Sequence, residues 1–439
     1  MIRPAEFRDL NRAFSPVAIP DTSEGPHLAL AWNSDADRAS RPDFTRAGHT
    51  VQACKGPTMN VLELCLSPSF GGLEIYVCRS VEALSRDHRV ITVTLPGSPV
   101  HDWLQARGYE VRPIRTRLPR LPLRAAARLA AMIDKREIDL VHVNWGPDLA
   151  LAALTRRFSR RRPRLVHTRH MLMNRPKRDP YHDFVYGQFD WIMAISRNME
   201  QGLRQHLSDR HAKHILHLYC GVPAPSAWLN PDESAALREE WGLPKNAFVA
   251  GVFSRLEPAK GQHLLLEAIA HLRKEGIQIH GLIVGHSTDA GYAAHLLERV
   301  NTLGLDGQIV FRDFVDQPQL LIQACECLVL PTDRETFANI ASEAMRAGVA
   351  VVASDRGGMP EMIEHGISGL LFESGNSLHL ADQLRLLHDD PAQRAALATA
   401  GRDRADRLFS LERQLPKLAA IFEDLVRSSA PRAEPHRDL

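Results

Sequence analysis

Two glutamates stand eight residues apart in the segment ETFANIASEAMRAGVAVVASDRGG, which begins at Glu335. Glu335 follows a predicted strand that ends near Thr332, and a helix is predicted to begin near Ala338 and Asn339. Helical steps of about 100° would leave the carboxylates of Glu335 and Glu343 within a quarter turn, so we expect both to face one ligand. Carboxylates only accept hydrogen bonds, which suits a polyhydroxylated ligand such as a sugar. Two solvated acids at a helix start are the ordinary alternative.

The neighbouring loops contain groups that bind phosphate. The first amides of the predicted helix, around Ala338–Ile340, lack partners within the helix and can bind phosphate oxygens. Arg255 and Lys260 follow the predicted strand 248–254 and add two cations beside a second helix start, which predicts a pyrophosphate clamp. The pair Gly357-Gly358 permits positive φ and a close approach by another backbone or by a phosphate, although an ordinary tight turn explains it equally well.

The first half of the chain adds a glycine pair and a histidine. Gly71 and Gly72 occupy the first strand-to-helix turn, but no G-x-G-x-x-G dinucleotide fingerprint occurs in the sequence. His170 ends the predicted strand 164–170 and could face the same cleft, although the chain has 21 histidines and chance placement is a serious alternative.

No metal site is expected from the sequence. The acidic triplet 35–37 is not preceded by a strand. The six cysteines form no C-x-x-C pair, and Cys325 and Cys327 are predicted to alternate faces of one strand. Most of the cysteines stand in apolar runs, where buried free thiols are common, which indicates a reducing cytosol.

Strands and helices alternate through most of the chain. An alternating pattern predicts parallel sheets, and two such series predict an α/β fold with two doubly wound Rossmann-like domains facing a cleft. The predicted strands are 60–66, 88–95, 109–114, 139–144, 164–170, 191–196, 248–254, 279–285, 308–314, 327–332 and 350–354. The tail from 378 to about 428 is predicted to be helical.

Composition shifts give the domain boundaries. Residues 1–58 are polar and without periodicity, which predicts a disordered leader or a mis-assigned start. Residues 59–222 would form an N-terminal Rossmann-like domain and residues 223–405 a C-terminal Rossmann-like domain. Residues 406–428 are expected to form a helix that returns to the N-terminal domain, before a disordered tail over 429–439.

Charge and hydropathy exclude several functions. The 439 residues are 44% hydrophobic with a net charge of +2, so nothing indicates a nucleic-acid partner. No apolar run approaches the ~20 residues of a membrane span, and no secretory signal opens the chain. Residues 101–180 contain 19 Lys and Arg against seven Asp and Glu. This surplus predicts contact with an anionic surface or substrate, although a solvated basic face is as good an explanation.

Taken together, these segments resemble the retaining, nucleotide-sugar-dependent glycosyltransferases of family 4, group 1 type, which have the GT-B fold. The resemblance runs from about Met59 to about Arg427 and is strongest over Glu335–Phe372, which is similar to the family's E-x7-E motif and the residues that follow it. SRLEPAKG, SFGGLEIYV, VHTRH and FDWIMAIS are similar to further family segments in the same order. The chain departs from the family at Ala338, where Gly is usual, and after Gly285, where an acidic residue is usual.

The resemblance implies that the domain 59–222 binds the acceptor and that the domain 223–405 binds the nucleotide sugar. It also implies roles for the residues named above. Glu335 would contact the transferred sugar, Glu343 the ribose hydroxyls, and His170 the donor sugar. Arg255 and Lys260 would neutralise the leaving diphosphate. The amides that would cradle the diphosphate belong to Gly71, Gly72, Ala338, Asn339 and Ile340.

The resemblance also implies an activity. It implies transfer of a sugar from a UDP-, GDP- or ADP-linked donor, without metal or cofactor, to a glycan or glycolipid of the bacterial lipopolysaccharide kind. The enzyme would be cytoplasmic, with peripheral contact to the anionic inner membrane through the basic 101–180 region. Three alternatives remain: a nucleotide-sugar 2-epimerase on the same fold, an inactive GT-B binding module, and glycosyl transfer to a small cytosolic molecule.

Overall fold

The computed structural model of the protein describes residues 58–116, 120–287, 290–315 and 318–428. Apart from Thr58, the predicted leader lies outside the described residues, and so do the acidic triplet 35–37, Cys54 and the predicted tail 429–439. The statements below concern the described residues.

The first half of the chain forms a seven-stranded parallel sheet in the order β3-β2-β1-β4-β5-β6-β7. Most of its inner positions are buried on both faces, as expected where helices cover a parallel sheet. Its strands are β1 (Asn60–Cys65), β2 (Arg89–Thr94), β3 (Val111–Pro113), β4 (Leu140–Val143), β5 (Arg164–Arg169), β6 (Trp191–Ala194) and β7 (Ile215–His217). Its helices are α1 (Gly72–Leu84), α2 (Pro99–Ala106), α3 (Leu123–Lys135), α4 (Leu149–Phe158), α5 (Pro180–Gly187), α6 (Arg197–His206) and α7 (Asp209–Ala212).

The second half forms a six-stranded parallel sheet in the order β10-β9-β8-β11-β12-β13. The strands are β8 (Phe248–Phe253), β9 (Ile279–Val284), β10 (Ile309–Arg312), β11 (Cys327–Leu330), β12 (Ala350–Ser354) and β13 (Leu370–Phe372). The helices are α8 (Pro231–Glu240), α9 (Gln262–Lys274), α10 (Ala290–Thr302), α11 (Pro318–Ile322), α12 (Asn339–Arg346), α13 (Met359–Met362) and α14 (Ser377–Asp389). The predicted fold class, two doubly wound parallel domains, is confirmed.

The predicted helical tail consists of α14 and two further helices, α15 (Pro391–Leu408) and α16 (Leu411–Arg427). The break between α14 and α15 has a local cause, because the Asp390 side chain accepts from the Gln393 amide and Pro391 takes the first position of α15. Helix α16 packs against the first sheet, where the ring of its Phe422 lies 5.1 Å from that of His142.

Two strands were missed, and one local prediction is wrong. Strands β7 and β13 were not predicted, because three residues are too few to establish a period. Cys325 precedes β11 and does not share the strand with Cys327, so the two do not alternate faces of one strand. Both are buried free thiols, as are Cys65, Cys78 and Cys220.

Candidate active site

Lys260 and Glu335 belong to loops that follow two neighbouring strands of the second sheet, β8 and β11. Strand order reverses at this pair of strands, which is where a parallel sheet opens a crevice beyond its carboxyl edge. The loops are tied together, because the Thr332 hydroxyl and the Asp333 amide each donate to the Ala259 carbonyl at 3.1 Å. Lys260 Nζ lies 2.5 Å from Glu335 Oε2, and the two side chains are 19% and 22% exposed. The fold therefore forms a partly open ion pair at the crevice.

The pair Gly357-Gly358 packs against the backbone of the loop that contains Glu335. Gly357 has φ +62°, and a Cβ there would lie 2.0 Å from the Glu335 carbonyl oxygen. A Cβ on Gly358 would lie 2.2 Å from the Thr336 carbonyl oxygen, and the Gly358 amide donates to the Glu335 carbonyl at 2.9 Å. Glycine is thus required at both positions because the backbone of the Glu335 loop approaches closely. The sequence predicted a close approach either by another backbone or by a phosphate, and the structure shows the backbone.

Glu343 lies in α12 and is buried against the first domain. Its Oε1 accepts from Arg79 of α1 at 3.1 Å. Burial raises the pKa of Glu343, and the Arg79 guanidinium opposes that rise. The helical-step argument for the two glutamates is wrong, since α12 begins at Asn339 and Glu335 lies in the loop before it.

The glycine turn of the first domain meets the start of α12. A Cβ on Gly72 would lie 3.1 Å from Asn339 Nδ2, so a larger residue at position 72 would require the Asn339 side chain to shift. Asn339 Oδ1 is buried without a hydrogen-bond partner in the described part of the chain. Ala338, at the N-cap of α12, has no side-chain oxygen to cap the helix. The predicted cradle of Gly71, Gly72, Ala338, Asn339 and Ile340 is therefore a site where uncapped amides and an orphaned carbonyl lie at the cleft.

Arg255 is not brought into this arrangement. Its side chain is 54% exposed and pairs with Glu257 at 3.2 Å. In the described residues, of the two predicted clamp cations only Lys260 contacts Glu335.

His170 directly follows β5 and ends a chain of buried polar groups that runs through the first sheet. Its Nε2 lies 3.3 Å from Asn144 Oδ1, and Asn144 Nδ2 donates to Glu63 Oε2 at 3.0 Å. Glu63 Oε1 lies 2.8 Å from His142 Nδ1, and His142 Nε2 lies 2.7 Å from Thr168 Oγ1. The last four side chains are at most 1% exposed. We call this set of five residues the buried polar chain.

Hydrogen-bond partners set the tautomer of His170. The Glu63 carboxylate only accepts, so the amide nitrogen of Asn144 faces it and the amide oxygen faces His170. His170 then carries its hydrogen on Nε2 and leaves Nδ1 as an acceptor. Burial, with the nearby His167, holds the pKa of His170 well below its usual value. The ring is therefore neutral near pH 7.

Several residues at the cleft were not predicted from the sequence. Glu63 and His142 could have been found, since each interrupts an otherwise apolar strand. Arg79 gave no signal, because a basic residue on an amphipathic helix is ordinary. Glu361 of α13 gave none either, yet its carboxylate accepts from the Arg197 amide at 2.7 Å across the domain boundary.

A cavity of about 910 Å³ opens beside His170 in the first domain. It lies beyond the carboxyl ends of β4 and β5 and is closed on one side by α5. The residues that line it include His170, Asn144, Trp145, Leu149, Arg169, Arg175, Lys177, Tyr181, His182, Val185 and Tyr186. Its volume is in the usual range for small-molecule sites.

The described residues form neither a metal-binding cluster nor a membrane-spanning helix. They contain no group of three or more His, Cys, Asp or Glu side chains arranged to hold a metal ion. None of their helices is both long enough and apolar enough to cross a membrane.

Comparison with protein families gives two adjoining matches. Residues 70–224 match Glycosyltransferase Family 4, and residues 233–404 match the glycosyl transferases group 1. The first match covers most of the domain with the Gly71-Gly72 turn and His170, and the second contains Lys260, Glu335 and Glu343.

The following three proteins share at most about a third of their residues with the matched part of this chain. A D-inositol 3-phosphate glycosyltransferase of Streptomyces bingchenggensis is 30% identical over 45% of this chain, and the match spans only 45% of that protein's length. An N-acetyl-alpha-D-glucosaminyl L-malate synthase of Bacillus anthracis is 24% identical over 70% of this chain and 81% of its own length. The solved structure of HepE from Anabaena, in complex with UDP and glucose, is 25% identical with a TM-score of 0.72. It covers 83% of this chain and 100% of HepE.

Proposed function

Because the chain is a GT-B protein built from a Glycosyltransferase Family 4 domain and a glycosyl transferases group 1 domain, we propose that it transfers a sugar, with retention, from a nucleotide-sugar donor to a glycan or glycolipid acceptor. The chemistry would be that of a hexosyl or related transferase. The observation that carries the proposal is the Lys260–Glu335 ion pair at the crevice of the second sheet.

The ion pair suits a donor that supplies a diphosphate and a sugar. Lys260 would leave Glu335 for the diphosphate, whose charge is larger, and Glu335 would then accept from a sugar hydroxyl. The amides at the start of α12 and the Gly71-Gly72 turn would bind the remaining phosphate oxygens. UDP-glucose is the first donor to test, since HepE is solved with UDP and glucose.

The reaction would follow from charge. Cleavage of the anomeric bond leaves a nucleoside diphosphate anion and an oxocarbenium-like sugar, and Lys260 would stabilise the developing negative charge. Neutral His170, with Nδ1 as an acceptor, would orient a hydroxyl of the donor sugar. Attack from the same face, with a leaving phosphate oxygen taking the acceptor's proton, would give retention.

The acceptor would bind the first domain, in the cavity beside His170. We propose a glycolipid of lipopolysaccharide biosynthesis, reached from the cytoplasmic face of the inner membrane. Leu121, Met171 and Tyr181 line the cavity and are 41–67% exposed, within a basic part of the chain, which would suit an anionic membrane surface. If the purified protein does not bind anionic vesicles at low salt, the proposed membrane contact is wrong.

Two other functions use the same fold. A nucleotide-sugar 2-epimerase would release its product without any acceptor, and product analysis with and without glycolipid separates it from a transferase. An inactive binding module would have no need for a Lys260–Glu335 pair beside uncapped amides, so we favour an enzyme over it. Transfer to a small cytosolic acceptor stays open under the same test.

Calorimetric titration with UDP-, GDP- and ADP-sugars tests the proposal. We expect one donor to bind wild type and to lose at least about tenfold in affinity in Lys260→Ala, because a charge-assisted hydrogen bond is worth roughly 1.5–3 kcal/mol. Lys274→Ala, on the exposed end of α9, is the matched control and should bind as wild type does. Absence of binding by all three donors in folded protein would contradict the proposal.

A further inference from the structure

We infer that the cavity beside His170 contains a subsite for a phosphate group of the acceptor, formed by Arg169, Arg175 and Lys177. The inference rests on the proposed function, since it treats the cavity as the acceptor site. It narrows the acceptor to a phosphorylated molecule whose phosphate lies next to an apolar or ring-shaped part.

The cations of the cavity lack acidic partners. In the described part of the chain, no carboxylate lies within 4.0 Å of the charged groups of Arg169, Arg175 or Lys177, and no Asp or Glu lines the cavity. Other basic residues of the same domain do have acidic partners, as Arg156 and Arg164 have in Asp190 at 2.8 and 3.4 Å. Unpaired cations gathered in one concave site are stabilised by an anion that binds there.

Lys177 is held in place by a short relay. Its Nζ lies 2.9 Å from His182 Nε2, and His182 Nδ1 lies 2.5 Å from Asp179 Oδ2. His182 Nδ1–H therefore donates to the Asp179 carboxylate, and His182 Nε2 accepts a hydrogen bond from the Lys177 ammonium group. Burial lowers the pKa of Lys177, and the like charges of Arg169 and Arg175 lower it further. A bound phosphate would reverse the effect of those charges.

The backbone fixes Arg169 beside Lys177. Arg169 Nε donates to the Met171 carbonyl at 2.6 Å, and one terminal nitrogen lies 3.3 Å from the Leu172 carbonyl. The remaining terminal nitrogen approaches the open side of Gly146, where a Cβ would lie 3.4 Å away. Arg175 is exposed at the mouth of the cavity. One cation is thus rigid, one is held by a relay and one is free to close on a ligand.

The other wall of the cavity is apolar. Leu149, Val185 and Tyr186 are buried there, and Trp145 is half-buried beside them. His170 lines the same cavity, so a ligand bound between the cations and this wall would present its far end to the donor cleft. The arrangement selects for a phosphate next to an apolar or ring-shaped group, at a distance from the accepting hydroxyl.

Three probes test the subsite: glycerol 3-phosphate, vesicles of phosphatidic acid and vesicles of phosphatidylcholine. Binding is measured in the full chain carrying Lys260→Ala, so that phosphate bound at the donor clamp does not contribute. Adding Arg175→Gln and Lys177→Gln should weaken binding at least about tenfold. Lys135→Gln is the matched control, because this exposed lysine ends α3 at the opposite edge of the sheet.

Each outcome decides the inference. Cation-dependent binding of glycerol 3-phosphate supports a free phosphorylated acceptor. Cation-dependent binding only of phosphatidic acid vesicles supports a lipid headgroup as the source of the phosphate. Four outcomes overturn the subsite: no binding of either, equal binding of phosphatidylcholine vesicles, binding that Arg175→Gln and Lys177→Gln leave unchanged, or binding that Lys135→Gln weakens equally. Loss of nucleotide binding in Lys260→Ala tests the proposed function separately, because that residue does not line this cavity.

Discussion

His170 Nε2 lies 3.3 Å from Asn144 Oδ1, and Asn144 is oriented in turn by the buried Glu63. The tautomer of His170 is therefore set, through Asn144, by the carboxylate of the fully buried Glu63. We expect Asn144→Ala to reduce the transfer rate by up to about 10²-fold, because a misoriented ring costs that much without a change of charge.

The control for Asn144 is the far end of the buried polar chain. Thr168→Val breaks the buried hydrogen bond to His142, and Asn144→Ala breaks the buried hydrogen bond to Glu63, so both should lose about 1–3 kcal/mol of stability. Only Asn144→Ala should alter kcat and its pH profile, measured with the donor found by titration. Equal kinetic effects of the two substitutions would show that Asn144 acts through stability alone.

The glycine pair below the Glu335 loop gives a second prediction. Gly357→Ala and Gly348→Ala both place alanine at positive φ, +62° and +70°, which costs about 1–2 kcal/mol each. Only at position 357 would the new Cβ meet backbone, the Glu335 carbonyl oxygen. We expect Gly357→Ala to abolish donor binding and Gly348→Ala to retain it, as measured by calorimetry after thermal unfolding confirms a folded protein. Donor binding by both would contradict this account of the loop.

A third prediction concerns pH and the buried Asp148. Burial raises the pKa of Asp148 to about 7, although its carboxylate accepts from the Leu66 amide at 2.8 Å. As pH rises, the unfolded chain loses this proton first, so the group reduces stability between about pH 4 and pH 7 and no further above that. By linkage the loss is on the order of 4 kcal/mol.

Asp148→Asn keeps an oxygen for the Leu66 amide and removes the titration. Urea unfolding of the wild type at pH 5 and pH 8 should therefore show a larger loss of stability with pH than unfolding of the variant. Identical pH dependence of the two proteins would show that Asp148 is already ionised at pH 5.

The Arg79–Glu343 ion pair joins the two domains, with side chains 18% and 8% exposed. We expect Arg79→Gln to lower the free energy of unfolding by about 1–3 kcal/mol, since it leaves a buried carboxylate unpaired. Arg86→Gln, two residues beyond the end of α1, is the control, because Arg86 pairs with Glu82 at 4.0 Å in solvent and its loss should cost less than about 0.5 kcal/mol. A double-mutant cycle with Glu343→Gln measures the coupling, and additive effects would contradict it.

The sequence predicts the fold well because eleven of the thirteen strands in the described residues, with the helices between them, repeat one pattern. It predicts Lys260, Glu335 and His170 as residues at strand ends, and parallel topology brings the first two together. Contacts between domains escape it. Arg79 and Glu343 are 264 positions apart, and no local pattern records that a basic residue on one helix meets an acid on another. The direction of a side chain also escapes prediction. The sequence predicts the position of Arg255 in its loop, but the Arg255 side chain pairs with Glu257.

The segment that contains Gly357, Gly358 and Glu361 touches both sides of the cleft. Its glycines support the Glu335 loop, and four residues after Gly357 the Glu361 carboxylate accepts from the first amides of α6 in the other domain. A hinge motion that separated the domains would break those bonds and pull on the short stretch below Glu335. The position of the Glu335 loop is therefore coupled to the contact between the two domains.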